Sequence, residues 1–361
     1  MPVQQREFMD LISGRREGFS AACLRLLLWL ASFWYWAAVS LRLALYSLGL
    51  LRRRRAGAPV ICVGNLTTGG TGKTPAVAHV VQMLAGLRAR PAIVSRGYRA
   101  SASGSDEMKV LAELCPGVLH VPNANRLAGA CRALSEGADC IVLDDGFSHL
   151  PLARDLDLLL LDALNPFGFG RMLPRGLLRE PLRSMRRASA IVITRADVAQ
   201  PERLREIEDV ARCYGFTGPV IHAAHQPEKL AELFSGAPVD LSELRGEVVA
   251  PFCGIGNPRG FERTLESLGA AVSPLGTLVL NDHADLDERE ITRQVEPFLR
   301  SAREQGARIA VCTQKDAVKL RGRKIELPVD MPLLELRVQF RILRGEEELR
   351  AMLARVIAPG N

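Results

Sequence analysis

The sequence lacks the patterns that mark several common classes of protein. Its eight cysteines (Cys23, Cys62, Cys115, Cys131, Cys140, Cys213, Cys253, Cys312) are scattered, with no C-x-x-C pair. That argues against a zinc ribbon or a disulfide framework and indicates reduced thiols in a cytosolic setting. Histidine is scarce, at six residues in 361, and no Ser/His/Asp or metal-cluster spacing is present. Aromatics make up only 5%, and all three tryptophans sit in one apolar N-terminal stretch instead of interleaving with basic residues. The net charge of +7 therefore does not indicate nucleic-acid binding. It points to acidic partners of other kinds: an anionic membrane, a nucleotide or a phosphorylated lipid. There are no internal repeats and no low-complexity tail. The N-terminal apolar run starts too late and is too long for a signal peptide, and it shows no small-residue cleavage site.

An apolar content of 48% and a charged content of 24% describe a globular protein with a substantial core, long enough for two domains. Residues 1–55 read as an N-terminal membrane-associating helix. Ala21 to Leu51 is very apolar, carries Trp29, Phe33, Trp34, Tyr35, Trp36 and Tyr46, and is closed by Arg52-Arg53-Arg54-Arg55. Its longest uncharged run, Leu26 to Leu41, is sixteen residues. That is about 24 Å of helix, short of the roughly 20 residues a span needs. A helix lying in the membrane interface fits better, with rings at headgroup depth and arginines on anionic lipid. A buried core helix and a short span are the other readings.

The chain is organised around Pro59 to Pro75, PVICVGNLTTGGTGKTP. An apolar strand, Val60–Val63, runs into a glycine loop, and Lys73-Thr74 opens an Ala/Val-rich helix. This is a phosphate cradle. Thr67, Thr68, Gly69, Gly70, Thr71, Gly72, Lys73 and Thr74 are the expected nucleotide-binding residues. Backbone N–H groups and Lys73 face phosphate oxygens, and the Thr74 hydroxyl is suited to Mg²⁺. The usual first glycine of the motif is replaced by Thr67. The signature lysine of ParA/MinD-like ATPases is replaced by Thr68.

Downstream, strands and helices alternate, which implies a parallel sheet flanked by helices, with ligands at the carboxyl ends of the strands. Strands are expected at Ala92–Ser95, Val118–Val121, Cys140–Leu143, Leu156–Leu161 and Ala190–Ile193. Asp144-Asp145 ends one of them, as a Mg²⁺-holding carboxylate does in a P-loop protein. Asp106-Glu107 ends a loop after the second strand, placed either for general-base work or to cap a helix, and Met108 to Leu114 reads as that helix. Residues 165–187 are rich in glycine, proline and arginine and read as an anion-facing segment. Thr194-Arg195-Ala196-Asp197 is similar to the base-reading [NT]-K-x-D of GTPases, with arginine for lysine, and is read as a chance match. A second α/β region follows, and from the residues alone His283 is a loop histidine.

These blocks together resemble the tetraacyldisaccharide 4'-kinase (lipid A 4'-kinase) family. The resemblance rests on VGNLTTGGTGKTP (63–75), SRGY (95–98), Asp106-Glu107, Asn125-Arg126, LDDGFSH (143–149), LPRGLLREP (173–181), GIGNP (254–258), Asp282-His283 and TQKDAVKL (313–320). It implies transfer of the ATP γ-phosphate to the 4'-hydroxyl of a lipid disaccharide at the cytoplasmic face of the inner membrane, by a peripheral or monotopic enzyme. It also implies a P-loop kinase lobe (56–187), a smaller α/β lobe (188–330) that closes on it, and a C-terminal strand and helix (331–361) packing back on the core. By the same resemblance Asp106 is the base, with His283. Lys73, Arg126 and Arg179 offset phosphoryl charge, and Mg²⁺ is held among Thr74, Asp144, Asp145 and Glu107. Ser105, Met108, Ser148 and Leu177 stand where the family has Gly, Pro, Gln and Pro. The competing reading is a membrane-recruited P-loop switch ATPase of the ParA/MinD-like type, which shares the loop and the membrane helix but has no use for the Asp106-Glu107 and Asp282-His283 blocks.

Overall fold

The structure, a computed structural model, describes residues 3–97, 106–280 and 286–358. The chain divides into two compact units. One runs from Phe8 to His225 and takes back the C-terminal stretch from Phe340, and the other is built from Gln226–Gln339 together with the residues that precede Phe8.

The first unit opens with the part of α1 (Val3–Ser13) from Phe8 on and with α2 (Phe19–Ser47). It continues through β1 (Val60–Asn65), α3 (Lys73–Gly86), β2 (Pro91–Ser95), α4 (Asp106–Leu114), β3 (His120–Pro122), α5 (Arg126–Ser135), β4 (Cys140–Asp144), β5 (Leu156–Asp162), β6 (Ala190–Thr194), α6 (Pro201–Cys213) and the start of β7 (Val220–Glu232). Its strands are parallel, in the order β7-β6-β5-β1-β4-β2-β3. β1, β4 and β6 are buried along their whole length, because helices cover both faces and each strand must be apolar on both. Alternate residues of one strand accordingly feed different cores. Val60 and Cys62 pack with Leu143 and Ile191, and Ile61 and Val63 pack with Val142 and Val192. β1 lies between β4 and β5, so the chain leaving its carboxyl end enters the crevice where α/β sheets bind ligands.

The second unit contains β8 (Pro238–Val239), β9 (Val248–Cys253), α7 (Pro258–Ser267), β10 (Ala271–Val272), β11 (Leu278–Val279), α8 (Glu288–Glu290), α9 (Glu296–Glu304), β12 (Ile309–Thr313), α10 (Gln314–Leu320) and most of β13 (Leu333–Arg344). β10, β9, β12 and β13 pair in parallel in that order. Within it, buried Glu335 is held by Arg321 and Arg337. The chain then returns to the first unit, where Phe340 and Ile342 join its core, with Leu349 and Leu353 of α11 (Glu346–Ile357).

The division into units falls at 225/226 and 339/340, whereas the sequence suggested 187/188 and 330/331. β6 explains the first difference: it pairs with β5 from Leu158↔Ala190 to Asp162↔Thr194. The sheet therefore continues past the arginine-rich segment and does not end before it.

Candidate active site

The carboxyl end of β1 leads directly into the site. Leu66, Thr67 and Thr68 run antiparallel to residues 177–179. Thr68 N donates to Leu177 O at 2.8 Å, Arg179 N donates to Leu66 O at 2.7 Å, and Thr67 pairs with Leu178. Thr67 and Thr68 thus serve this short ladder, and the curled part of the loop starts at Gly69. The ladder also accounts for the LPRGLLREP block, which delivers Arg179 to the loop. Leu177 N donates to Gly168 O at 2.9 Å, a bond that proline at this position would lack.

Gly72 caps α3 in the left-handed region, at φ 76°, and makes no side-chain cap to the first turn of the helix. Those N–H groups, with the positive end of the helix dipole, are the parts of an anion site. Lys73, the first helical residue, donates from Nζ to Asn65 Oδ1 at 3.3 Å and lies 3.9 Å from Asp145 Oδ1. Thr74 is the next residue of α3.

β4 delivers Asp144 and Asp145 to the same point, and the two carboxylates differ sharply. Asp145 has φ 52°, a left-handed turn that Asp tolerates better than most residues. Its carboxylate takes a bidentate grip from Arg179, with Nη1–Oδ2 at 2.9 Å and Nη2–Oδ1 at 2.8 Å. Burial pushes its pKa up, but Lys73 and Arg179 together outweigh burial and hold it well below the usual carboxylate range. Asp144 is 7% exposed. Burial first, and then the charges of Glu107 and Asp145, push its pKa up to about 7. Arg179 also donates to Asn65 O at 2.9 Å and to Asn65 Oδ1. Asn65, fully buried, is the hub that sequence reasoning did not assign. Its only signal was its place inside the VGN block.

Asp106 and Glu107 open α4, as acidic residues in its first turn, where carboxylates suit the helix dipole. The helix begins two residues before the expected Met108. Arg126, 3% exposed, donates to Asn123 O at 3.0 Å and to Asp144 O at 3.4 Å. It joins the ends of β3 and β4, and Nε has no partner among the described residues. Burial lowers its pKa, partly opposed by Asp144 and Asp145. His149 is kept neutral: burial and then Arg126, Arg154, Arg42 and Arg96 push its pKa down to about 4. Of the expected site residues, His283 lies outside the described residues.

α2 reaches this network through one seam. Ala21 and Ser32 are its buried residues. Ser32 Oγ donates to Met172 O at 3.0 Å, Tyr35 Oη to Arg179 O at 3.2 Å, and Arg42 Nη2 to Ser148 O at 3.2 Å. The rest of the helix presents Phe19, Leu26, Leu27, Phe33 and Trp34 to solvent, with Phe19 86% and Trp34 74% exposed. By length and composition it is one helix long and apolar enough to cross a membrane.

The residues present suit a nucleotide polyphosphate. Asn65 Nδ2 is a buried donor with no partner among the described residues, next to the first turn of α3. Such an orphan calls for an acceptor. They also suit a hard divalent cation, since Thr74, Asp144 and Glu107 offer only oxygen donors. Among the described residues no group of three His, Cys, Asp or Glu could hold a metal. A cation here would therefore share its shell with phosphate oxygens and water, which is how Mg²⁺ usually binds.

Comparison with known proteins places this site in one family. The model of the LpxK family, tetraacyldisaccharide-1-P 4'-kinase, matches residues 24–358. The tetraacyldisaccharide 4'-kinase of Anaeromyxobacter dehalogenans is 42% identical over 336 residues, covering 88% of this chain and 87% of its own. That of Halothermothrix orenii is 36% identical over 353 residues, covering 89% and 90%. Among solved structures, LpxK from Aquifex aeolicus, crystallised with ATP, superposes with a TM-score of 0.71 at 30% identity, covering 93% of this chain and all of that one. These matches do not favour the switch-ATPase reading. The chain belongs to the tetraacyldisaccharide 4'-kinase family.

Proposed function

We propose that the protein is an ATP-dependent kinase that phosphorylates the 4'-hydroxyl of a tetraacylated glucosamine disaccharide 1-phosphate, a step of lipid A biosynthesis. The observation that carries the reading is the convergence of Lys73 and Arg179 on both Asn65 and Asp145 at the mouth of the phosphate loop. Phosphoryl transfer needs little covalent chemistry from a protein. It needs positioning and charge that matches the transition state.

In this reading the N–H groups from Gly69 to Thr74 and the buried Asn65 amide cradle the phosphates. Lys73 neutralises charge on the transferring group. Arg179 is aimed by Asp145 and fixed by the ladder to Leu66, so it adds a cation without rearranging. Arg126 supplies buried positive charge beside Asp144. Thr74 and Asp144, with Glu107 nearby, are the residues that would hold Mg²⁺, which when bound offsets negative charge on the phosphates. Asp145, engaged by two cations, serves to position Arg179 and Lys73. Asp106 is assigned as the base that takes the proton of the acceptor hydroxyl.

α2 is the proposed membrane contact. Its midpoint hydroxyls, Ser32 and Tyr35, are bonded to the backbone of the catalytic unit. This supports a helix lying along the membrane surface and argues against one that crosses the bilayer. Its exposed rings are suited to headgroup depth, and the exposed Arg52–Arg55 run to anionic lipid on the cytoplasmic face. The test is incubation with γ-labelled ATP and the tetraacylated disaccharide in mixed micelles. Label in the lipid is the expected result. ATP hydrolysis without labelled lipid would favour a switch ATPase.

A further inference from the structure

The active site described so far accounts for the groups that face the nucleotide, but not for what holds the loop itself in shape. The loop has three glycines in four residues (Gly69, Gly70, Gly72). Such a segment has many accessible conformations, and ordering it costs entropy. Three side chains from β6 and β7 contact it from outside. Thr194 Oγ1 donates to Thr71 O at 3.1 Å. Arg195 Nη2 donates to Gly70 O at 3.0 Å, while its Nη1 pairs with Asp162 at the end of β5. His225 presses its ring on Gly72: a Cβ there would stand 2.1 Å from Nε2.

We infer that Thr194, Arg195 and His225 form a bracket that fixes the peptide orientations of Gly70, Thr71 and Gly72 and so presents the phosphate-binding N–H groups. They are positioning residues, and none is assigned a contact with substrate. The inference rests on the phosphate loop holding ATP.

The physical reason lies in the planarity of the peptide. In a trans peptide the C=O of one residue and the N–H of the next point in opposite directions. Donors that pin the Gly70 and Thr71 carbonyls outward therefore turn the Thr71 and Gly72 N–H groups the other way. The Thr71 N–H is itself taken up by Gly69 O at 3.1 Å, closing the turn, so of the two it is the Gly72 N–H that the bracket presents. Arg195 adopts φ 56°, a conformation costly for a non-glycine residue that persists where the surrounding structure holds it. In this conformation one guanidinium bridges Asp162 and Gly70. His225 stands behind the helix cap, with its ring in edge contact with Phe340 at 5.5 Å. Burial first, then Arg195, pushes its pKa down to about 4, so it supports Gly72 as a neutral ring. Gly72 is then needed twice, for its positive φ and for its missing side chain. The Thr-Arg-Ala-Asp run that looked like a chance similarity thus has a use at its first two positions.

The test compares full-length wild type with Arg195→Ala, Arg195→Lys, Thr194→Val and Thr194→Ser. The readouts are ATP dissociation constant, separate KM values for ATP and lipid, kcat and melting temperature. Arg195→Ala and Thr194→Val are expected to weaken ATP binding and raise KM for ATP by about 10-fold, the scale of a lost hydrogen bond to a pinned carbonyl. KM for the lipid should stay within twofold. Thr194→Ser, which keeps the hydroxyl, should bind like wild type, and Arg195→Lys should be intermediate. Because the two residues hold one loop, Arg195→Ala with Thr194→Val should cost less than the product of the single effects. Wild type that binds ATP, with both non-conservative variants binding equally well, overturns the bracket alone. Both KM values rising together with a lowered melting temperature also overturns it, as a merely structural role. Wild type that fails to bind ATP overturns the kinase reading and the bracket with it.

Discussion

Replacing Asp144 by asparagine isolates the cost of keeping a carboxylate at the end of β4. The residue is 7% exposed, and its pKa is pushed from 3.8 to about 7 by burial and by Glu107 and Asp145. The native state therefore holds this proton more tightly than the unfolded chain. Stability contributed by the protonated form is complete below about pH 4, declines as pH rises between about 4 and 7, and is fully lost above 7. The gap corresponds to on the order of 4 kcal/mol at alkaline pH, a ceiling because relaxation and water entry reduce it. Asparagine mimics the protonated form and does not titrate. In chelator, thermal melting of wild type and Asp144→Asn should nearly coincide at or below about pH 4 and already differ at pH 5. They should diverge toward pH 8, with the variant higher by up to about 10 °C for a unit of this size. The same variant should lose phosphoryl transfer, because the carboxylate assigned to Mg²⁺ is gone. A difference between the two melting curves that stays constant from pH 5 to pH 8 would refute the reasoning.

Three further outcomes follow from the same geometry. Asp106→Asn should leave ATP affinity unchanged while turnover falls by about 10²-fold or more, the scale of a lost general base; near-normal turnover would remove Asp106 from the mechanism. Arg179→Lys keeps the charge but loses the two-pronged grip on Asp145 and the contact with Asn65, so kcat should fall by about 10²-fold with the melting temperature little changed. A wild-type rate would show that charge alone suffices. Trp34→Glu places a charge on the most exposed tryptophan of α2 and should weaken co-sedimentation with anionic vesicles by about 10-fold, leaving turnover on a detergent-dispersed substrate intact. Unchanged sedimentation would assign membrane contact to another surface.

Much of this architecture was legible because buried parallel strands must be apolar on both faces. VICV, CIVL and AIVI are conspicuous for that reason, and GGTGKT has few uses other than cradling phosphate. What was not legible depends on which strands pair. The division between units could not be read at β6, since an apolar run looks the same whichever sheet it joins. Asn65 was passed over because the strand reading stopped at Val63, and nothing local marks an amide that gathers Lys73 and Arg179 from eight and 114 residues away. Asp106 and Glu107 read from sequence as the end of a loop, yet acidic residues are what a first helical turn accepts, and α4 begins with them. The contacts of Thr194 and Arg195 with the loop lie more than a hundred residues apart in sequence and emerge only from the fold.

The most direct measurement is phosphorus NMR of the lipid recovered after incubation with ATP and Mg²⁺. The account predicts a new phosphomonoester on the 4'-oxygen beside the existing 1-phosphate, absent when Mg²⁺ is chelated. A lipid returned unmodified while ATP is consumed, or phosphorylated at another hydroxyl, would contradict it.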